Sequence, residues 1–105
     1  MREVYGVDIE VEPLILPEVE VNVYGASSEL CVVGEASVRA GPRLVEELER
    51  KVERLREARP DALRPRVVKA IYTSLPLPGL VDAAKERGVW VLKATGDVVP
   101  PPQLG

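Results

Sequence analysis

The chain contains no histidine among its 105 residues. Neither a Ser-His nor a Cys-His nucleophilic mechanism can be built without one, nor can a histidine-ligated zinc site. Cysteine is nearly absent too. Cys31 stands alone, so no intrachain disulfide can form, and its place in an apolar segment reads as an inert core thiol. Phenylalanine is missing, and aromatic residues make up 4% of the chain; of its three tyrosines and one tryptophan, Tyr24, Tyr72 and Trp90 are the candidates to stack on a base, and they are scattered. No apolar run approaches the ~20 residues that a membrane helix needs, and no segment reads as a signal peptide. The expected location is therefore cytoplasmic, with no membrane contact.

What is present describes one globular α/β domain with a modest core. Hydrophobic residues form 46% and charged residues 30% of the chain, and the formal net charge is -3. A small acidic excess argues against generic nucleic-acid binding, which usually shows as a basic excess. The charge is uneven, however. Seven acids (Glu3, Asp8, Glu10, Glu12, Glu18, Glu20, Glu29) fall within residues 1–30 against Arg2 alone, while Arg39 to Lys69 is mildly basic. Ten prolines with a single Asn and a single Gln resemble thermophile usage.

Alternation places a first strand at Val4 to Val11, with Val7, Ile9 and Val11 on one face. Leu14-Ile15-Leu16, between Pro13 and Pro17, reads as an edge-strand continuation or a turn. Glu18 to Tyr24 alternates strictly as a second strand. Across the Gly25-Ala26-Ser27-Ser28 link, Glu29 to about Ser37 completes a hairpin. Pro42 suits the first turn of a helix over Arg43 to Arg59, whose stripe is Leu44, Val45, Leu48, Val52 and Leu55. Glu46–Arg50 and Glu47–Lys51 sit at i,i+4 on its solvent side. A fourth strand over Arg66 to Tyr72 leads through a stiff Ser74 to Gly79 loop into a short helix, Leu80 to Arg87. Gly88 caps that helix before the last strand, Val89 to Leu92, where Trp90 is expected in the core. The expected order is β-β-β-α-β-α-β in a mixed sheet. The domain should span residues 1–95, followed by a Pro-rich tail over 96–105.

Glu20 and Asn22 lie two apart and share a strand face, as do Glu35 and Ser37 on the next strand. In a suitable register Glu20, Asn22 and Glu35 converge at one end of the sheet; a one-residue slip sends one set to the other face. An acid on one strand, a turn, an apolar strand ending at Glu35-Ala36-Ser37, an amphipathic helix, and the later Ala84-Lys85-Glu86-Arg87-Gly88-Val89-Trp90-Val91 together resemble the PD-(D/E)xK, or restriction-endonuclease-like, nuclease superfamily. The nearest likeness is to its short archaeal members related to Holliday-junction resolvases.

The resemblance implies Mg²⁺ or Mn²⁺ held by Glu20, Asn22 and Glu35, with a catalytic group at Ser37 and Arg39 nearby. Two of those positions depart from the pattern. Asn22 occupies the place of the first acid and Ser37 that of the lysine, and Arg39 is a poor base because it stays protonated. The superfamily's first helix has no counterpart, which implies an uncovered sheet face and a dimer or protein partner. Two functions follow. One is a catalytically degenerate scaffold that serves in assembly; the other is a metal-dependent DNA endonuclease with an atypical site. No small-molecule cofactor is expected in either case. Glu35 read without the resemblance is a strand-end carboxylate paired with Arg39 or Arg43. Passive DNA binding would use Arg39, Arg43, Arg64, Arg66 and Lys69. An apolar contact surface around Leu75, Leu77 and Leu80 is a further expectation.

Overall fold

The computed structural model describes residues 3–4, 7–8, 12–15 and 20–100. Six strands form one sheet in chain order: β3 (Glu12–Ile15), β4 (Glu20–Ala26), β5 (Leu30–Ala40), β6 (Arg66–Pro76), β7 (Val89–Lys93) and β8 (Gly96–Val99). Helix α1 (Pro42–Ala58) joins β5 to β6, and α2 (Leu80–Arg87) joins β6 to β7. The two joined pairs are parallel and the outer pairs antiparallel, because a parallel pair needs a crossover and a hairpin does not. A mixed sheet with helical crossovers is therefore what the sequence pattern requires.

The element order differs from expectation at both ends. The single strand expected at Val4 to Val11 is replaced by β1 (Glu3–Val4) and β2 (Val7–Asp8), which pair with each other as a separate two-stranded unit. The rest of that expected strand lies outside the described residues. At the other end, Gly96–Val99, expected to begin the tail, pairs antiparallel with β7, so a boundary at residue 95 cuts a hairpin. The indole Nε1–H of Trp90 donates to Asp97 Oδ1 at 2.8 Å and fixes this strand. Residues 101–105 lie outside the described set. Strand β6 also runs four residues past Tyr72 into the expected loop.

Both helices pack on one face of the sheet. Val45, Leu48, Val52 and Leu55 of α1, with Leu80 and Ala84 of α2, share a buried cluster with Val21, Cys31, Val33, Ile71, Val89 and Val91. These positions repeat at three and four in the helices and at two in the strands, so each element has one face to bury. The opposite face is not open. Leu30, Val32, Val68, Ala70, Trp90 and Leu92 form a second cluster with exposures of 0–5%. The expectation of an uncovered face is corrected accordingly. Close approach of β5 to β6 also fixes one glycine: a Cβ on Gly34 would stand 2.6 Å from the Ala70 carbonyl oxygen.

Candidate functional site

Strand β4 does not keep the strict alternation that its sequence suggests. Between β3 and β4, Leu14 faces Val21 while Glu12 faces Tyr24, so β4 carries one extra residue at Asn22–Val23. The bulge leaves Val21 and Tyr24 on the helix side, with Val21 fully buried, and leaves Glu20 and Asn22 exposed. Glu20 and Asn22 do share a face, but Val21 between them takes the side toward α1. Their side chains do not converge with Glu35.

Glu35 itself is placed as expected, on the helix side beyond Cys31 and Val33. Its side chain is 7% exposed. Regular pairing of β4 with β5 stops at Val23–Gly34. The backbone N–H of Asn22, next along, instead donates to Glu35 Oε2 at 3.3 Å. The carboxylate thus satisfies a donor that the bulge frees from the ladder. Its other oxygen receives Lys51 Nζ from the middle of α1 in a close ion pair. This replaces both the Glu47–Lys51 pair expected on the helix surface and the Arg39 or Arg43 partner expected for Glu35. Lys51 is the residue that sequence reasoning missed. Its signal was its position, three residues after Leu48 and four before Leu55, which puts its stem along the flank of the buried stripe.

Ser37 is half-buried, and its hydroxyl donates to the Arg39 carbonyl at 2.6 Å within its own strand. Arg39 is exposed at the end of β5. Cys31 is buried, and burial pushes its thiol above the ordinary value, which suits an inert core position. Burial likewise raises the Tyr24 hydroxyl, against the nearby Arg64, and that hydroxyl donates to the Ala62 carbonyl.

A divalent cation such as Mg²⁺ or Mn²⁺ takes several oxygen ligands, usually including more than one carboxylate. Of the expected ligands Glu20, Asn22 and Glu35, Glu35 is the one that faces α1, and Lys51 already compensates its charge. Among the described residues no three Cys, Asp or Glu side chains gather as a metal cage. The donor set here does not fit such an ion.

The basic residues do not form one surface. Arg64 donates to the carbonyls of Ser27 at 2.8 Å and Asp61 at 2.7 Å, clamping the turn before β6 to the β4–β5 hairpin. Lys69 is held by Glu49 at 3.1 Å and by the Arg87 carbonyl at 3.0 Å, at the end of α2. Glu49 also pairs with the Arg87 guanidinium. Although partial burial works against ionisation, the contacts from Lys69 and Arg87 hold the Glu49 carboxyl below its ordinary value of 4.5. Helix α1 is thereby fastened on two flanks, by Lys51 to β5 and by Glu49 to β6 and α2. Arg39, Arg43 and Arg66 remain exposed, Arg66 at the opposite end of the sheet from the other two. Two shallow grooves, of about 480 and 320 Å³, run along the Glu49 flank and share Glu49 and Glu53.

A family model described as "Domain of unknown function (DUF8196)" matches residues 1–101. The chain belongs to this family. No curated protein matches it significantly in sequence. Its fold is similar to solved structures of nucleases. The structure of an EndoMS–dsDNA complex is 25% identical with a TM-score of 0.57, over 90% of this chain and 38% of that one. EndoMS in apo form is 25% identical with a TM-score of 0.56, over 90% and 41%. A repair endonuclease from Pyrococcus abyssi, at 19% identity and a TM-score of 0.62 over 92% and 41%, shares the fold. The chain therefore spans about two fifths of the length of these proteins. The scaffold is nuclease-like, a mixed α/β sheet of restriction-endonuclease type. No helix among the described residues is long and apolar enough to cross a membrane.

Proposed function

We propose that this chain is a catalytically silent relative of the nuclease fold that serves as an assembly subunit, with its kinship to Holliday-junction resolvases retained in the layout of strands and helices. The observation that carries this reading is the state of Glu35. Its carboxylate is charge-compensated by Lys51 and accepts the Asn22 N–H, and the bulge turns Glu20 and Asn22 away from it. Hydrolysis of a phosphodiester through a metal needs an ion held by compensating negative charge, and one carboxylate already paired with an ammonium supplies none to spare.

The competing reading is a Mg²⁺- or Mn²⁺-dependent endonuclease with an atypical site. One observation favours it: Lys51 restores, from a helix, the carboxylate–lysine neighbourhood that Ser37 does not provide. DNA as a partner is supported by the complex that the similar EndoMS forms, and by the exposed Arg39 and Arg43.

The test is cleavage of duplex, single-stranded and branched DNA with Mn²⁺ at elevated temperature, alongside Glu35→Ala and Lys51→Ala. The silent scaffold gives no cleavage in any of the three proteins. Cleavage by the native chain that both substitutions abolish would establish the nuclease instead.

A further inference from the structure

Glu35 and Ser37 follow Val33 along the helix side of β5, and the parallel register sets Ile71 and Thr73 of β6 beside them. The two hydroxyls are already engaged with backbone. Ser37 Oγ donates to the Arg39 carbonyl at 2.6 Å, while Thr73 Oγ1 donates to the Val38 carbonyl at 3.1 Å and accepts the Leu75 N–H at 3.2 Å. Val33, Ile71 and, in β4, Val21 are apolar and fully buried. The other expected ligands, Glu20 and Asn22, are exposed and turned away. Glu35 therefore offers a lone carboxylate, and one of its oxygens already accepts the Asn22 N–H.

The remaining oxygen meets Lys51 Nζ. Leu48 and Leu55, three residues before and four after Lys51, are fully buried in the same cluster as Val33 and Ile71. Helix α1 cannot turn its lysine away from Glu35 without lifting that stripe off the sheet. An ammonium suits a lone carboxylate: it carries one positive charge and three N–H donors, and a single acceptor group compensates it. A divalent cation carries twice the charge and takes six or more oxygens around it. Held on a packed helix, the ammonium also meets Glu35 as an intramolecular partner, which a dissolved ion has to displace.

We infer that Glu35 forms an ammonium seat, filled by the chain's own Lys51 where the resemblance to nucleases implies a dissolved divalent cation. The inference rests on the reading of the site as catalytically silent. It adds what the site selects, a nitrogen cation with N–H donors in place of a metal ion. Emptied of Lys51, the seat takes a small primary alkylammonium ion from solution.

Lys51→Ala opens the seat, and ethylammonium chloride is the probe. The melting temperature of this variant should lie below that of the native chain and rise again, saturably, with ethylammonium. Tetramethylammonium at equal ionic strength has no N–H to donate and should give no such rise, nor should Mn²⁺. The native chain, whose seat is filled, should not respond to ethylammonium. The double variant Glu35→Gln/Lys51→Ala, whose seat has lost its charge, should not respond either. Equal responses to ethylammonium and tetramethylammonium, or none to either, overturn the seat.

Should Lys51→Ala fail to fold, the native chain decides by nuclear magnetic resonance. The Asn22 amide, which reports on Glu35 Oε2, should keep its linewidth in millimolar Mn²⁺. Broadening there that Glu35→Gln abolishes places the metal at Glu35 and overturns the inference. The two claims fail separately. A rise with Mn²⁺ in Lys51→Ala alone refutes the ammonium seat and leaves the native site silent. Mn²⁺ held at Glu35 of the native chain, together with DNA cleavage, refutes both.

Discussion

Lys51, in the middle of α1, closes an ion pair onto the nearly buried carboxylate of Glu35 on β5, and so fixes the rotation of the helix over the sheet. Removing one partner of such a pair leaves the other charge stranded. Lys51→Met should therefore destabilise the fold by about 2 kcal/mol in urea unfolding. That is below what a fully buried pair would cost, because the lysine side chain keeps 27% exposure. The double variant Glu35→Gln/Lys51→Met should recover most of the loss, since a glutamine oxygen still accepts the Asn22 N–H without a charge to compensate. Equal destabilisation in the single and double variants would deny the pair its role.

Restoring the expected residue types should not restore a metal site. Asn22→Asp with Ser37→Lys supplies the acid and the lysine in sequence, but the bulge keeps position 22 on the exposed face. Millimolar Mn²⁺ is expected to leave the melting temperature of this double variant where it stands. An upward shift, lost again on Glu35→Ala, would mean that the strand can turn this residue inward.

Gly34 lies beside Ala70 of β6 on the second buried face. Gly34→Ala puts its Cβ against the Ala70 carbonyl, and backbone must move to admit it. The expected cost is about 2 kcal/mol, read as a lower urea midpoint with an unchanged slope. A neutral Gly34→Ala would show that the two strands slide apart freely.

The Glu49 carboxyl should shape the acid limb of stability. Its folded value lies below 4.5, held down by Lys69 and Arg87. Its contribution is present in full above that ordinary value and is lost as pH falls through the lower folded value. The stability difference between the native chain and Glu49→Gln should therefore be constant from neutral pH to about 5 and shrink on further acidification. A difference that stays flat to pH 2 would place these contacts outside the folding equilibrium.

The sequence by itself determined the elements whose periodicity is uninterrupted. The stripe Val45, Leu48, Val52 and Leu55 is the buried face of α1, and Pro42 begins that helix. Gly88, at φ 66°, ends α2 where its lack of a side chain predicts. Trp90 and Cys31 are buried as their apolar neighbours require. The likeness to a nuclease fold was legible for the same reason, because it lies in the succession of hairpin, helix and crossover strands. Only the tertiary structure decided what depends on pairing between distant segments. One extra residue in β4 reverses which side chains face α1, and alternation along a single strand carries no record of where its partner's register breaks. Lys51 and Glu35 meet across sixteen positions of sequence. A lysine on a helix flank looks the same in sequence whether it ends in water or on a buried carboxylate. Likewise, the β8 hairpin exists because Val99 and Asp97 find β7 beside them, a contact that the prolines following it gave no reason to expect.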